Sequence, residues 1–364
     1  MKIVFAGGGT GGHIYPALAV ADEIRYLKPE TEVLFLSGRR GIERKIVADS
    51  GYTVSTLPVT GLPRKLSPAM VGFAWRLGVS IILSRRELRK FRPSVVMATG
   101  GYVSGPPLIA AWSLGVPTVI QEQNSFPGIT NRKLGRFADM IFLGFSDAVK
   151  YFSSDNETLV TGNPIRNAVY SGNREEAARF YSFDPLLKTV LIFGGSQGSA
   201  AINGAVAGSV EILAQKGYQV LWQTGEREFE SRKNYNGCCD GRIRVVAYIN
   251  EMKHAYAAAD IVVARAGAMS IAEITACGLP AVFIPLPTAA ENHQEYNAQS
   301  LVDAGAASMI LERELKSSGL EMVITDIIDS DDRLAMMSEA SKALGKRDAA
   351  RNIAGIILDR YGCN

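Results

Sequence analysis

The sequence predicts an α/β protein of two Rossmann-like domains whose parallel sheets face each other across a cleft. Three observations carry this. An apolar strand, Val4-Phe5-Ala6, runs into Gly7-Gly8-Gly9-Thr10-Gly11-Gly12-His13 and then a helical segment. Strand, glycine loop and helix return in that order half a chain later, where Lys188 to Phe193 leads into Gly194-Gly195-Ser196-Gln197-Gly198-Ser199. The chain, at 364 residues, is also long for one core and natural for two domains. The expected domains are residues 1–161 and 162–345, with Gly162-Asn163-Pro164 suited to the crossing. A helix within 346–364, Asp348 to Tyr361, is expected to pack back on the first domain.

Glycines let the backbone approach an oxyanion closely, and a helix starting there aims its N–H groups and positive dipole end at the anion. Gly7, Gly9 and Gly12 also fit the Gly-x-Gly-x-x-Gly dinucleotide fingerprint, whereas no Gly-Lys-Ser/Thr follows, which argues against a triphosphate P-loop. A tight turn with glycines for packing alone is the competing reading.

Composition narrows the class. Hydrophobic content of 47% and charged content of 21% are those of a globular chain. A net charge of +3 is too small to suggest a nucleic-acid partner. The four cysteines, two of them adjacent at Cys238 and Cys239, form neither a disulfide framework nor a zinc spacing, so a reducing compartment fits. The N-terminus enters a strand directly, so no signal peptide is expected. No run reaches the ~18 apolar residues of a membrane span, so the chain reads as soluble or peripheral.

In chain order, Tyr15 to Leu27 has helical apolar spacing, and Glu32 to Gly38 reads as a second buried strand. An NAD enzyme would close that strand with an acidic residue about 20 residues past the glycines. Ser37-Gly38-Arg39-Arg40 stands there instead, which disfavours NAD and leaves NADP formally open. From Ser67 to Pro93, apolar residues that include Met70, Phe73 and Trp75 precede the cations Arg85, Arg86 and Arg89. That pattern suits a helix at an anionic lipid surface, and equally a core helix whose basic last turns complement its dipole. A strand at Val95 to Thr99 then meets a second glycine turn, Gly100-Gly101-Tyr102-Val103-Ser104-Gly105. Pro117 to Ile120 ends in Gln121-Glu122-Gln123-Asn124, a polar cluster where open α/β sheets bind ligands. Strands at Met140 to Leu143 and Thr158 to Val160 complete this half.

In the second half a helix is expected from Ala200 to Lys216, with strands at Tyr218 to Gln223, Ile243 to Ile249, Asp260 to Gly267 and Leu279 to Pro285. The helix Ala268 to Cys277 carries Ser270 and Glu273, and Ser-x-x-Glu is also a capping-box pattern. Glu291-Asn292-His293-Gln294 and Asn297 follow the last long strand, and beyond Leu315 the chain reads as helices.

Taken together, Gly8-Gly9-Thr10-Gly11-Gly12-His13, Gly100 to Pro106, Glu122-Gln123-Asn124, Gly162 to Arg166, Gly194 to Gly198 and Arg265-Ala266-Gly267-Ala268 with Glu273 resemble one family. It is the MurG family of bacterial UDP-N-acetylglucosamine N-acetylmuramyl-(pentapeptide) pyrophosphoryl-undecaprenol N-acetylglucosaminyltransferases, in glycosyltransferase family 28. The resemblance runs from residue 1 to about 310. It implies the GT-B architecture and inverting transfer of GlcNAc from UDP-GlcNAc to the C4 hydroxyl of MurNAc on lipid I, giving lipid II. That reaction serves peptidoglycan synthesis, and through it cell shape and division, at the cytoplasmic face of the membrane. The resemblance also implies roles. Ser196 and Arg166 would contact the diphosphate and nucleotide, and the Ile249 backbone would read uracil. Glu273 would hold the ribose, while Ala268, Met269, Ser270, Ile271 and Ala272 would offer N–H groups to phosphate. Gln294, Asn124, Thr10, Gly11 and Gly12 would reach the GlcNAc, and Gly9, Gly100, Gly101, Tyr102 and Ser104 the acceptor pyrophosphate.

The physics agrees with these roles. Preorganised N–H groups can stabilise the charge on departing UDP, so neither a metal nor another cofactor is expected. A base must take the acceptor's proton, and His13 is the one of three histidines that sits in a glycine loop at a strand end. A pyrophosphate contact or a cap competes with that role. Rival readings are an NADP reductase, which leaves the second glycine loop and Glu273 unexplained, another GT-B enzyme such as a UDP-GlcNAc 2-epimerase, and a non-catalytic sugar-nucleotide binder.

Overall fold

The computed structural model describes residues 1–9, 11–39, 43–61, 69–315 and 317–362. The chain forms two compact units, Met1–Ile165 with Arg347–Asn364, and Arg166–Lys346.

The first unit holds seven parallel strands: β1 Lys2–Gly7, β2 Glu32–Gly38, β3 Thr53–Leu57, β4 Val95–Gly100, β5 Thr118–Glu122, β6 Met140–Leu143 and β7 Thr158–Val160. Their order is β3-β2-β1-β4-β5-β6-β7. The second unit holds β8 Thr189–Phe193, β9 Gln219–Gln223, β10 Ile243–Val246, β11 Ile261–Ala264, β12 Ala281–Phe283 and β13 Ala307–Met309, ordered β10-β9-β8-β11-β12-β13 and also parallel. Each sheet therefore reverses its winding once, between β1 and β4 and between β8 and β11. The crevice beyond the strand carboxyl ends at such a point is where open α/β sheets take ligands. The expected pair of Rossmann-like, parallel-sheet units is what forms.

Central strands are buried on both faces, as parallel sheets covered by helices require. Ile3, Val4, Phe5 and Ala6 of β1 have no exposed surface, nor do Val190, Leu191 and Ile192 of β8. The helix Ala349–Tyr361 lays Ile353, Ala354 and Ile357 into the same apolar cluster as Ile14, Ala17 and Val20 of the helix Gly11–Leu27.

Several local readings need correction. The first helix begins at Gly11 rather than Tyr15, so His13 lies in its first turn. The expected helix from Ala200 to Lys216 is two, Ala200–Ala207 and Val210–Gln215, broken where Ser209 donates its hydroxyl back to the Ala205 carbonyl. β10 ends at Val246, short of Ile249. Two edge strands were not legible: β3 is rich in serine and threonine, and β13 is three residues long.

The helix Ala69–Phe91 has both buried and exposed faces. Its inward residues include Ser80 and Ser84, fully buried, while Val71, Trp75 and Ile82 are 75%, 73% and 67% exposed. Phe73 is half-buried, and Arg86 and Arg89 are exposed. Arg85 instead turns to the Ser113 hydroxyl.

Candidate active site

In the first unit the carboxyl ends of β1, β4 and β5 bring Gly9, Gly11, Gly12, His13, Gly100, Gly101, Tyr102 and Asn124 together; Thr10 lies outside the described residues. The two glycine loops touch backbone to backbone. A Cβ on Gly101, at φ +75°, would lie 2.1 Å from the Gly8 carbonyl oxygen, and one on Gly7 2.1 Å from Thr99 Oγ1. Only glycines permit that approach.

Thr99 Oγ1 donates to the His13 carbonyl at 2.6 Å. The imidazole Nδ1 lies 3.0 Å from the Thr99 carbonyl oxygen and 2.9 Å from Gln123 Oε1. Gln123 Nε2 donates to the Thr99 and Gln121 carbonyls at 2.8 and 3.0 Å, which fixes the amide with its oxygen toward the ring. Both neighbours of Nδ1 are thus acceptors, so Nδ1 carries the proton and Nε2 keeps its lone pair. Gln123 is itself anchored, because Asn163 Nδ2 donates to its backbone carbonyl at 2.9 Å.

Two expected pyrophosphate contacts are otherwise engaged. The Gly9 N–H donates to Glu43 Oε1 at 2.5 Å, and Glu43 is only 3% exposed. Ser104 is fully buried, with its hydroxyl on the Gly101 carbonyl at 2.9 Å. The positive potential of this site comes instead from the start of the helix Gly11–Leu27, whose first turn holds no acidic residue. Asn124 is held by Glu122, whose Oε1 accepts from its backbone N–H and its Nδ2 at 2.9 and 3.1 Å.

In the second unit Ser196, the segment Ala268–Glu273 and Gln294 follow β8, β11 and β12, and Ile249 follows β10; Arg166 stands exposed beside the short turn Asn167–Tyr170. Ser196 is exposed in its loop. A Cβ on Gly198, at φ +75°, would lie 2.0 Å from the Thr224 carbonyl oxygen, so β8 and β9 converge as β1 and β4 do. Ser199 caps the next helix and accepts a 2.7 Å hydrogen bond from Arg265 Nη2. Arg265, 9% exposed, also donates to the Ile284 and Pro285 carbonyls at 3.1 Å and pairs with Glu312.

The capping-box reading of Ser270 and Glu273 fails. The N-cap is Gly267, Ser270 lies one turn inside, and no side chain caps this helix. A helix start at a sheet's switch point suits a phosphate. Ile249 needs the opposite correction: its N–H already donates to Gln223 Oε1 at 3.0 Å, so the donor half of the expected uracil-reading pair is engaged. Gln294 Oε1 accepts from the Leu286 N–H at 3.0 Å. An Asp-x-Asp triplet does occur, Asp329-Ser330-Asp331, but Asp331 pairs with Lys188 at 2.6 Å and Asp329 accepts from Tyr218. Among the described residues no three His, Cys, Asp or Glu side chains cluster for a metal.

Two parallel α/β units, each with a glycine loop and a helix start at the switch point of its sheet, are the parts of the GT-B fold of sugar-nucleotide enzymes. The solved MurG of Acinetobacter baumannii superposes with a TM-score of 0.78 at 26% identity, covering 98% of this chain and 99% of that one. Residues 3–143 match the glycosyltransferase family 28 N-terminal domain and residues 189–353 its C-terminal domain. The chain belongs to glycosyltransferase family 28. Among its relatives, one from Thermoanaerobacter sp. (strain X514) is 41% identical over 98% of this chain and 99% of its own. Another, from Alkaliphilus oremlandii, is 43% identical over 97% of each. Both are named UDP-N-acetylglucosamine–N-acetylmuramyl-(pentapeptide) pyrophosphoryl-undecaprenol N-acetylglucosamine transferase.

Sequence reasoning missed Tyr256, Gln123 and Glu43 as site residues. Tyr256, 3% exposed, donates its hydroxyl to Glu273 Oε2 at 2.9 Å. Burial pushes the Glu273 carboxyl up to about 7, against the lowering effect of that hydrogen bond. Burial, and then the Glu273 charge, holds the Tyr256 phenol well above its usual range. A carboxyl with a raised pKa makes the folded state bind the extra proton. Its stabilisation is complete below the unfolded value of ~4.3 and is lost as pH rises through about 7. Glu273→Gln should therefore raise the unfolding free energy of the unliganded protein at pH 8.5, by on the order of 3 kcal/mol at most and its melting temperature with it, and change both little at pH 4.5. Equal shifts at both pH values would mean that Glu273 is not the group concerned.

Proposed function

We propose that this chain transfers GlcNAc from UDP-GlcNAc, with inversion, to the C4 hydroxyl of the N-acetylmuramyl residue of undecaprenyl-pyrophosphoryl-MurNAc-pentapeptide. This is the lipid I to lipid II step of peptidoglycan synthesis. The observation that carries it is identity of 41–43% across nearly the whole length of relatives bearing that name. The site chemistry supports it in each unit.

Donor binding belongs to the second unit. The loop around Ser196 and the helix start at Ala268 take the diphosphate, with Arg166 on the nucleotide. Glu273 accepts from the ribose hydroxyls and Gln294 contacts the GlcNAc. In the first unit, the helix start at Gly11 and Gly12 supplies positive potential, and His13 Nε2 takes the C4 hydroxyl proton as O4 bonds to C1. The C1–O bond to UDP breaks with its electron pair leaving on the diphosphate, whose charge the N–H groups stabilise.

Purified protein should release UDP from UDP-GlcNAc only when lipid I is added. Release without acceptor, or an epimerised sugar, would overturn the reading. His13→Ala should lower kcat by about 10²–10⁴ with the UDP-GlcNAc Kd near wild type. Gln123→Leu should give a smaller kcat loss, because the ring keeps only the Thr99 carbonyl to fix its tautomer. A His13→Ala enzyme that loses only acceptor affinity would make His13 a pyrophosphate contact.

The exposed Val71, Trp75 and Ile82, beside exposed Arg86 and Arg89, suit a peripheral enzyme at the cytoplasmic membrane face. No helix among the described residues is long and apolar enough to cross a membrane. Trp75→Ser should weaken binding to anionic vesicles at an unchanged melting temperature. Arg86→Glu with Arg89→Glu should weaken it most at low salt, where screening is least. Unaltered vesicle binding in both variants would place the membrane contact elsewhere.

A further inference from the structure

The helix Ala69–Phe91 has a second apolar side that the proposed membrane contact leaves unused. Phe73 and Leu77 face a cavity of about 400 Å³ whose other walls include Val59, Pro106 and Ile129. These five side chains are wholly apolar, and Thr60 and Thr130 add two hydroxyls to the lining. A volume of this size is that of a small-molecule site, ~300–1,000 Å³.

Two further lining residues show what does fit. Tyr102 lines the cavity, and its ring Cε1 lies 3.1 Å from where a Cβ on Gly9 would be, so one ring joins the cavity to the glycine loops. Lys133, an exposed cation, lines it as well. Anion-suited helix start, aromatic ring, cation and apolar cavity thus adjoin one another. A lipid pyrophosphate presents the matching sequence, an anionic group bonded directly to an apolar chain.

We propose that this cavity seats the first isoprenoid units of the acceptor, those that leave the pyrophosphate. The proposal rests on the lipid-linked acceptor argued above. It separates two apolar surfaces on one helix: Val71, Trp75 and Ile82 meet bulk lipid, while Phe73 and Leu77 hold the substrate's own chain. Ile129 is 52% exposed, so it can be changed without opening the core.

The test compares, in detergent micelles, two pyrophosphoryl-MurNAc-pentapeptide acceptors that differ only in their lipid: undecaprenyl or a single prenyl unit. Wild type should favour the long chain in KM. Ile129→Asp should cut that long-to-short preference about tenfold, since a carboxylate in the cavity opposes an apolar chain. Leu77→Gln, with its melting temperature checked, should act in the same direction. Trp75→Ser should lower vesicle binding and leave the chain preference at the wild-type ratio. An unchanged preference in Ile129→Asp and Leu77→Gln overturns the proposal, as does an Ile129→Asp enzyme that loses only vesicle binding, which would make the cavity wall part of the bulk-lipid contact. A wild type that transfers GlcNAc to neither acceptor would remove the acceptor reading itself.

Discussion

The first unit depends on a contact without side chains. The backbone of Gly101 rests on the Gly8 carbonyl at a separation that leaves no room for a Cβ. This brings the ends of β1 and β4 together at the switch point of the sheet, close enough for Thr99 to use both its hydroxyl and its carbonyl on His13. Moving the loops apart by one methyl group would put both bonds beyond hydrogen-bonding distance, and with them the orientation of the ring. The histidine's chemistry is thus set by a backbone packing constraint two residues from the nearest hydrogen-bond partner.

The second unit repeats the constraint and uses it differently. Gly198 rests on the Thr224 carbonyl as Gly101 rests on that of Gly8. No histidine follows. The loop instead ends on Ser199, which caps its helix while accepting from the buried Arg265. Because Arg265 also holds the carbonyls of Ile284 and Pro285, one guanidinium ties the loop after β8 to the chain leaving β12. A buried ion pair with Glu312 adds little net stability once desolvation is counted. Its effect is positional, fixing the carboxyl edge of three strands around the helix start at Ala268.

Strand, glycine loop and helix follow from local rules, so both sheets and both loops were legible in the sequence. The edge strands β3 and β13 were not; β3 owes its place to pairing with β2 and not to an apolar pattern. Gly9 and Gly101 were singled out from motif and spacing, and Glu273 from the resemblance to the family. What those residues touch was out of reach, since it depends on partners far along the chain. Glu43 reaches Gly9 across 34 positions, and Gln123 reaches His13 across 110. The polar run Gln121 to Asn124 did signal a site, but only the amide orientation shows that Gln123 fixes the ring. Tyr256 gave no signal, lying in a short helix whose pattern is that of ordinary core.

The pairing of Tyr256 with Glu273 also bears on why the proposed ribose contact stands where it weakens the empty protein. A part-buried carboxylate with one hydrogen-bond donor is under-solvated, which pushes its carboxyl up to about 7. Adding ribose hydroxyls as donors would favour the ionised form, so donor binding and proton release are coupled at this position. On the proposed ribose contact, the free energy withheld from the empty fold would be recovered when the nucleotide arrives. Tyr256 sets the size of that effect: without its hydroxyl the carboxyl would titrate higher still, and the site would enter neutral pH largely protonated. A buried phenol whose own ionisation is pushed out of range is suited to this, because it donates one hydrogen bond at every pH the protein meets and never competes for the charge.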